Sequence, residues 1–210
     1  MRQIKLNVYS FDELDEDAKK VAINEIRESQ DFSYIYHDAK ETVKAFCDIF
    51  HNISVRPSVH SFLNASADVP DNILNLSAQR LKTYIYNNYE IYKGKYYGKL
   101  VDTEKDGSKI EKSKKHPAGV RHVKRYSKIQ KDNCCILTGV CYDNDMLSVF
   151  YDFLDGKDYQ NYNLEELIYA AFSNLETSIN SEVEYCQSDE GITEDLEGRD
   201  QEYFEDGTRV

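Results

Sequence analysis

The chain has no tryptophan, no long apolar run and no sequence signature of a bound phosphate or metal. Spanning a bilayer takes roughly 18 or more consecutive apolar residues, and no such run occurs. The N-terminal "MRQIKLNVYSFDELDED" turns acidic before an apolar signal region is formed, so a secretory leader is not expected. A phosphate loop, a dinucleotide fingerprint, H-E-x-x-H and G-x-S-x-G are all missing, which removes the common motif-bearing nucleotide, zinc-protease and serine-hydrolase classes. Cysteine is present five times, an odd number without a regular spacing. Reduced thiols in a cytoplasm are therefore expected rather than a disulfide framework. On that reading the N-x-S triplets at Asn52, Asn64 and Asn75 are background.

Aromatic and charged residues are plentiful instead. The 210 residues include 17 Tyr and 9 Phe, and 40% are hydrophobic against 30% charged, the profile of a folded chain with a real core. Tyrosine often keeps its ring half-buried and its hydroxyl in water, so many of these rings are expected at a core edge or on a binding face. Net charge is −12 but unevenly spread. Residues 93–131 hold 13 Lys/Arg against four Asp/Glu, a net of +9, whereas Glu182–Asp206 holds 11 acids and a single Arg199. Such blocks serve either as solvated faces or as electrostatic docking surfaces.

Periodicity points to an α+β chain. "RQIKLNVYS" alternates as a half-buried strand, and Ser10 with Glu13 then reads as a capping box before a helix carrying Leu14, Ala18, Val21, Ala22 and Ile26. A second helix is expected over 32–51, with Ile35, Ala39, Val43, Phe46 and Phe50 as its stripe and Cys47 beside it. Residues 53–63 alternate, but Pro57 makes them an edge strand or a broken one. The polar 64–75 reads as loop, Ser77–Tyr92 as helix and 93–101 as strand. Residues 102–119, polar and charged, are expected to form a mobile basic loop. Residues 120–129 alternate as a basic strand, Met146–Leu154 reads as a short helix, and Asn163 caps a long one. A short acidic helix holds Ile192 and Leu196, and Asp206-Gly207 signals a closing hairpin. The expected architecture is a single α+β domain over 1–210, with a small mixed or antiparallel sheet and four to five packed helices.

Two segments are candidates for interaction and one for chemistry. Arg121, Lys124, Arg125, Lys128 and Lys131, with Tyr126 among them, suit phosphate contacts plus one stacking ring; they equally suit an edge strand that resists sheet-to-sheet pairing. Glu194, Asp195, Glu197, Asp200 and Glu202 form an acidic docking candidate able to imitate a phosphate array, or an ordinary solvated helix. The third segment, "CCILTGVCYDNDMLSVFYDFL", places Cys134, Cys135 and Cys141 close together. Their spacing is not the C-x₂-C that grips zinc, and His116, His122 and Cys186 are scattered. A nucleophilic Cys141 needs His122 and an orienting Asp143 or Asp145, and no spacing supports that arrangement. A structural turn with Gly139 in a conformation other residues avoid is the favoured reading. No metal, cofactor or catalytic set is assigned.

The segments "YSFDELDEDAKKVAINEIRE", "LTGVCYDNDMLSVFYDFL" and "SDEGITEDLEGRDQEYFEDGTRV" resemble a set of small uncharacterised proteins encoded by phages and prophages, mainly of Gram-positive bacteria. The likeness covers about 60 residues in three ordered pieces and little of 55–130. It implies an accessory protein acting in the cytoplasm of a bacterial host cell, and it brings no catalytic residues. By analogy with such proteins, the implied role is stoichiometric inhibition of an anti-phage defence component, as anti-CRISPR proteins do. The partner would be a host defence protein or nucleoprotein complex. The alternatives are sequestration of an anionic nucleotide ligand, or direct nucleic-acid binding, through the basic segment 93–131.

Overall fold

Phe11, Leu14, Ala18, Ala22 and Ile26 recur at helical spacing, and in the computed structural model all five are buried in one cluster with Ile192, Leu196 and Tyr203. The structure describes residues 7–92, 99–100, 120–121 and 135–210, with only the backbone at Glu90, 99–100 and 120–121. The chain divides into two compact units. One joins the two ends, Met1–His37 with Glu176–Val210, and the other is Asp38–Leu175.

In the terminal unit the first helix starts later than Ser10 predicts. Glu13 does reach back to the Ser10 N–H at 2.9 Å, but this closes a 3-10 turn, Phe11–Glu13. Leu14 is extended, and α1 (Glu16–Ser29) begins beyond it. Its N-cap is Asp15, whose Oδ1 accepts from the N–H groups of Asp17 (3.0 Å) and Ala18 (2.8 Å). A carboxylate there satisfies donors that have no partner inside the helix and meets the positive end of the helix dipole. The acidic helix α7 (Asp189–Glu197) turns Ile192 and Leu196 onto α1. The chain ends then pair: Tyr9 and Tyr203 exchange two backbone hydrogen bonds of 2.9 Å each. The expected Asp206-Gly207 turn is present, with Gly207 at φ +84° and Tyr203 bridging antiparallel to Arg209.

Two long helices cross the division between units: α2 (Ser33–Cys47) and α6 (Leu164–Gln187). The Asp38–Leu175 unit is built from the remainder of these with β1 (Ser54–Pro57), β2 (Ala65–Asp68), α3 (Asp71–Leu74), α4 (Ala78–Asn88), β3 (Lys99–Leu100), β4 (Val120–Arg121) and α5 (Tyr142–Asp155). Both strand pairs are antiparallel, in registers Ser54↔Asp68 to Pro57↔Ala65 and Lys99↔Arg121, Leu100↔Val120. The chain is thus α+β, predominantly helical among the described residues. The 64–75 segment is a correction: it holds β2 and α3 rather than loop, because pairing with β1 supplies the order that its Ala-Ser-Ala-Asp pattern does not advertise. The expected strand 93–101 is described only at Lys99–Leu100, and that over 120–129 only at Val120–Arg121. Phe46, Phe50, Tyr89, Tyr92, Phe150 and Phe172 are fully buried at the centre of this unit, with Phe46 and Phe150 5.9 Å apart and Phe50 and Tyr89 4.9 Å apart between ring centres. Edge-on aromatic packing of this kind adds about 0.5–1.5 kcal/mol per pair beyond the area buried.

Gly207 tests how the C-terminal turn is seated. Its φ is in the left-handed region, and a Cβ there would collide with the Ala18 carbonyl of α1. Gly207→Ala is expected to cost about 2–4 kcal/mol in chemical denaturation, from backbone strain plus overpacking. A loss below about 0.5 kcal/mol, the level of an inert surface change, would contradict this seating.

Candidate functional site

The acidic candidates are all on one unit and all exposed. Glu194, Asp195 and Glu197 project from α7, and Asp200 and Glu202 follow in the segment leading to Tyr203. The burial of Ile192 (0% exposed) and Leu196 (1%) forces this, because helical periodicity then turns the intervening acids outward. The same unit includes Asp12, Glu13, Asp15, Glu16 and Asp17 around the start of α1. The two chain ends together carry 20 Asp/Glu against 7 Lys/Arg, a net of −13; the Asp38–Leu175 unit has 18 against 19, a net of +1. The negative charge of the whole chain is therefore the charge of one unit.

Of the basic candidates, Arg121 has only its backbone described, in β4. Lys124, Arg125, Tyr126, Lys128 and Lys131 lie outside the described residues, as do the expected basic loop 102–119, Cys134, His116 and His122.

A groove of about 570 Å³ opens in the acidic unit, lined by the end of α1, the first turn of α2, the end of α6, and α7. α1 stops at Ser29 and Gln30 turns extended, which brings its side chain to the last turn of α6. Gln30 Nε2 donates to the Cys186 carbonyl at 2.7 Å, and Arg27 Nε donates to the Gln187 carbonyl at 3.0 Å. Both satisfy carbonyls that a helix end leaves without partners. Arg27 also pairs with Asp189 at the start of α7. Along the groove, Tyr34 and Tyr185 keep 57% and 47% of their surface exposed. The Tyr185 hydroxyl donates to Glu194 at 2.6 Å, and Arg199 grips Asp195 through two contacts of 3.0 and 2.6 Å. Burial and the nearby Glu182 and Asp195 carboxylates raise the Cys186 thiol, so it is a poor nucleophile. No sequence motif links these residues, which come from four separate stretches.

The cysteine-bearing turn has a structural explanation. Asp143, fully buried, accepts from the backbone N–H groups of Leu137 (2.7 Å), Thr138 (2.7 Å) and Gly139 (3.2 Å) through Oδ2. Its Oδ1 accepts from the hydroxyls of Thr138 (2.7 Å) and Thr42 (3.1 Å). Asp143 is thus engaged by the turn and by Thr42, while His122 lies outside the described residues. Gly139 has φ +93°, the conformation anticipated for it. Cys47, in α2, is pushed up to about 11 by burial and by Asp48. Among the described residues no three His, Cys, Asp or Glu side chains are grouped to hold a metal ion. No helix among them is long and apolar enough to cross a membrane.

No family model, no curated protein and no solved structure matches the chain.

Two outcomes follow from this geometry. Asp143→Asn removes the charge and leaves one accepting oxygen where two oxygens now take five donors, and it is expected to cost about 2–4 kcal/mol of unfolding free energy. A change below about 0.5 kcal/mol would contradict the role given to the carboxylate. Asp31, in the groove, accepts from the N–H (2.8 Å) and hydroxyl (2.9 Å) of Ser33 and is held below the ordinary carboxylate range by those bonds. A lowered folded-state value stabilises above the unfolded value, and the contribution vanishes as pH falls through the folded one. The melting-temperature gap between wild type and Asp31→Asn is accordingly expected to close in acid; a gap that widens there would refute the assignment.

Proposed function

We propose that this chain is a non-catalytic binding protein that docks the acidic unit formed by its two ends onto the basic face of a protein partner. The observation that carries the reading is the net charge of −13 on that unit, beside +1 on the rest of the chain. Its acids are displayed by two helices, α1 and α7, fixed to each other through a buried apolar face. Charge arranged on a rigid element steers association and selects partners by complementarity, and a spaced carboxylate array presents to a basic groove what a phosphate backbone presents. The partner we propose, on the resemblance to phage and prophage accessory proteins, is a host anti-phage defence protein or nucleoprotein complex, inhibited stoichiometrically in the manner of an anti-CRISPR protein. Nucleotide sequestration and nucleic-acid binding through 93–131 remain the alternatives, and that segment lies almost wholly outside the described residues.

The test uses purified defence effectors with basic nucleic-acid grooves, immobilised one at a time, with the full chain in solution. A one-to-one complex is expected, with association slowing as ionic strength rises from about 0.1 M to about 1 M and the screening length falls from about 10 Å to about 3 Å. The triple variant Glu197→Gln, Asp200→Asn, Glu202→Gln is expected to slow association about tenfold with no change in melting temperature. Binding that ignores both salt and the variant would overturn the reading. So would tight binding of a cyclic nucleotide or of DNA in place of a protein.

A further inference from the structure

Gln30, one of the residues lining the groove of the acidic unit, has a buried polar atom without a match among the described residues. Gln30 Nε2 faces the Cys186 carbonyl at 2.7 Å, and because a carbonyl only accepts, the amide orientation is fixed. The other amide atom, Oε1, is an acceptor that is shielded from solvent and has no hydrogen-bond partner among the described residues. Leaving a buried acceptor unmatched is costly, so the site calls for a donor. The groove lining supplies Asp31, Glu194 and Asp195 as carboxylates and Tyr34 and Tyr185 as exposed rings. Two cations also line it. Arg199 is already neutralised by its double contact with Asp195, and Arg209 makes no ion pair among the described residues. Below the lining, Tyr203 is 1% exposed and its hydroxyl likewise has no partner.

We propose that this groove is a subsite for the guanidinium of an arginine on a basic segment of the partner protein, with the Glu194 carboxylate accepting its N–H groups, Gln30 Oε1 accepting another once the arriving group uncovers it, and Tyr34 and Tyr185 flanking its plane. This names the contact made within the docking surface described above and rests on that reading. Guanidinium fits better than ammonium: it is planar, weakly hydrated, offers five donors and stacks on aromatic faces. The groove volume of about 570 Å³ accommodates the side chain with its flanking backbone, and lies in the size range of ligand clefts. The partner is a protein segment rather than a free small cation because the surrounding unit carries a net charge of −13, which rewards several positive charges at once.

The experiment is titration of the ¹⁵N-labelled full chain, followed by NMR at the Gln30 side-chain amide. The probes are N-acetyl-arginine amide, its lysine counterpart and inorganic phosphate at constant ionic strength, and then hexa-arginine against hexa-lysine. Saturable shifts at Gln30 are expected, with arginine about tenfold tighter than lysine and phosphate silent. Gln30→Leu is expected to weaken arginine binding about tenfold. That change also removes the bond to Cys186, so Tyr185→Ala, at an exposed ring, is the second variant and is expected to weaken binding about threefold. Equal binding of lysine and arginine, no saturation at Gln30, or phosphate binding in place of arginine would overturn the inference. If salt-sensitive partner binding persists while arginine fails, the subsite alone is rejected. If arginine binds and no effector does, the subsite stands and the broader docking reading is rejected.

Discussion

The apolar seam between α1 and α7 is what the acidic end of the molecule depends on. Ile192 and Leu196 have no core of their own in a nine-residue helix, and they gain one from Phe11, Leu14, Ala18, Ala22 and Ile26. Burying an aliphatic side chain of this size is worth about 1.5–3 kcal/mol. That gain holds two strongly acidic segments together against their own repulsion. Several local devices reduce the repulsion. Asp15 caps α1, and Asp189 and Glu190 occupy the first turn of α7, where negative charge is favoured. Arg27–Asp189 and Arg199–Asp195 neutralise two acids, but exposed pairs of this kind contribute at most about 1 kcal/mol each. The remainder is a standing excess of negative charge that a cationic partner would relieve.

The segment richest in cysteine shows the opposite use of an acid. Asp143 is buried and spends both oxygens on five donors from the loop it closes and from Thr42 in α2. This explains a Thr138-Gly139 turn followed by an aspartate at the opening of α5 without any appeal to reactivity. One chain thus holds an acid enclosed to shape a turn and many acids displayed to water.

Long amphipathic elements were legible in the sequence: α1, α2, α6 and α7 all repeat apolar residues at helical spacing, and Asn163 with Glu166 caps α6 reciprocally at 2.7 and 2.9 Å. The start of α1 was misread because Ser10 and Glu13 satisfy a capping pattern locally while Asp15 does the capping of the α-helix. β2 was invisible because Ala65-Ser66-Ala67-Asp68 has weak alternation and owes its order to β1. Tyrosine was only partly legible: Tyr34 and Tyr185 are exposed as half-wet rings should be, but Tyr89, Tyr92 and Tyr203 are wholly enclosed. The groove could not be read at all, since Gln30, Tyr34, Tyr185 and Arg199 are neighbours only after the two chain ends meet. Pooling of the acids into one unit was hidden for the same reason, because residues 38–175 separate its two contributors.

The central claim is that the acidic terminal unit is the docking surface. Hydrogen–deuterium exchange of the chain, free and bound to its partner, tests this most directly. The account predicts new protection at 12–17 and 189–206, with the backbone of 38–175 unchanged. Protection confined to 38–175, with the two chain ends exchanging as in the free protein, would contradict it.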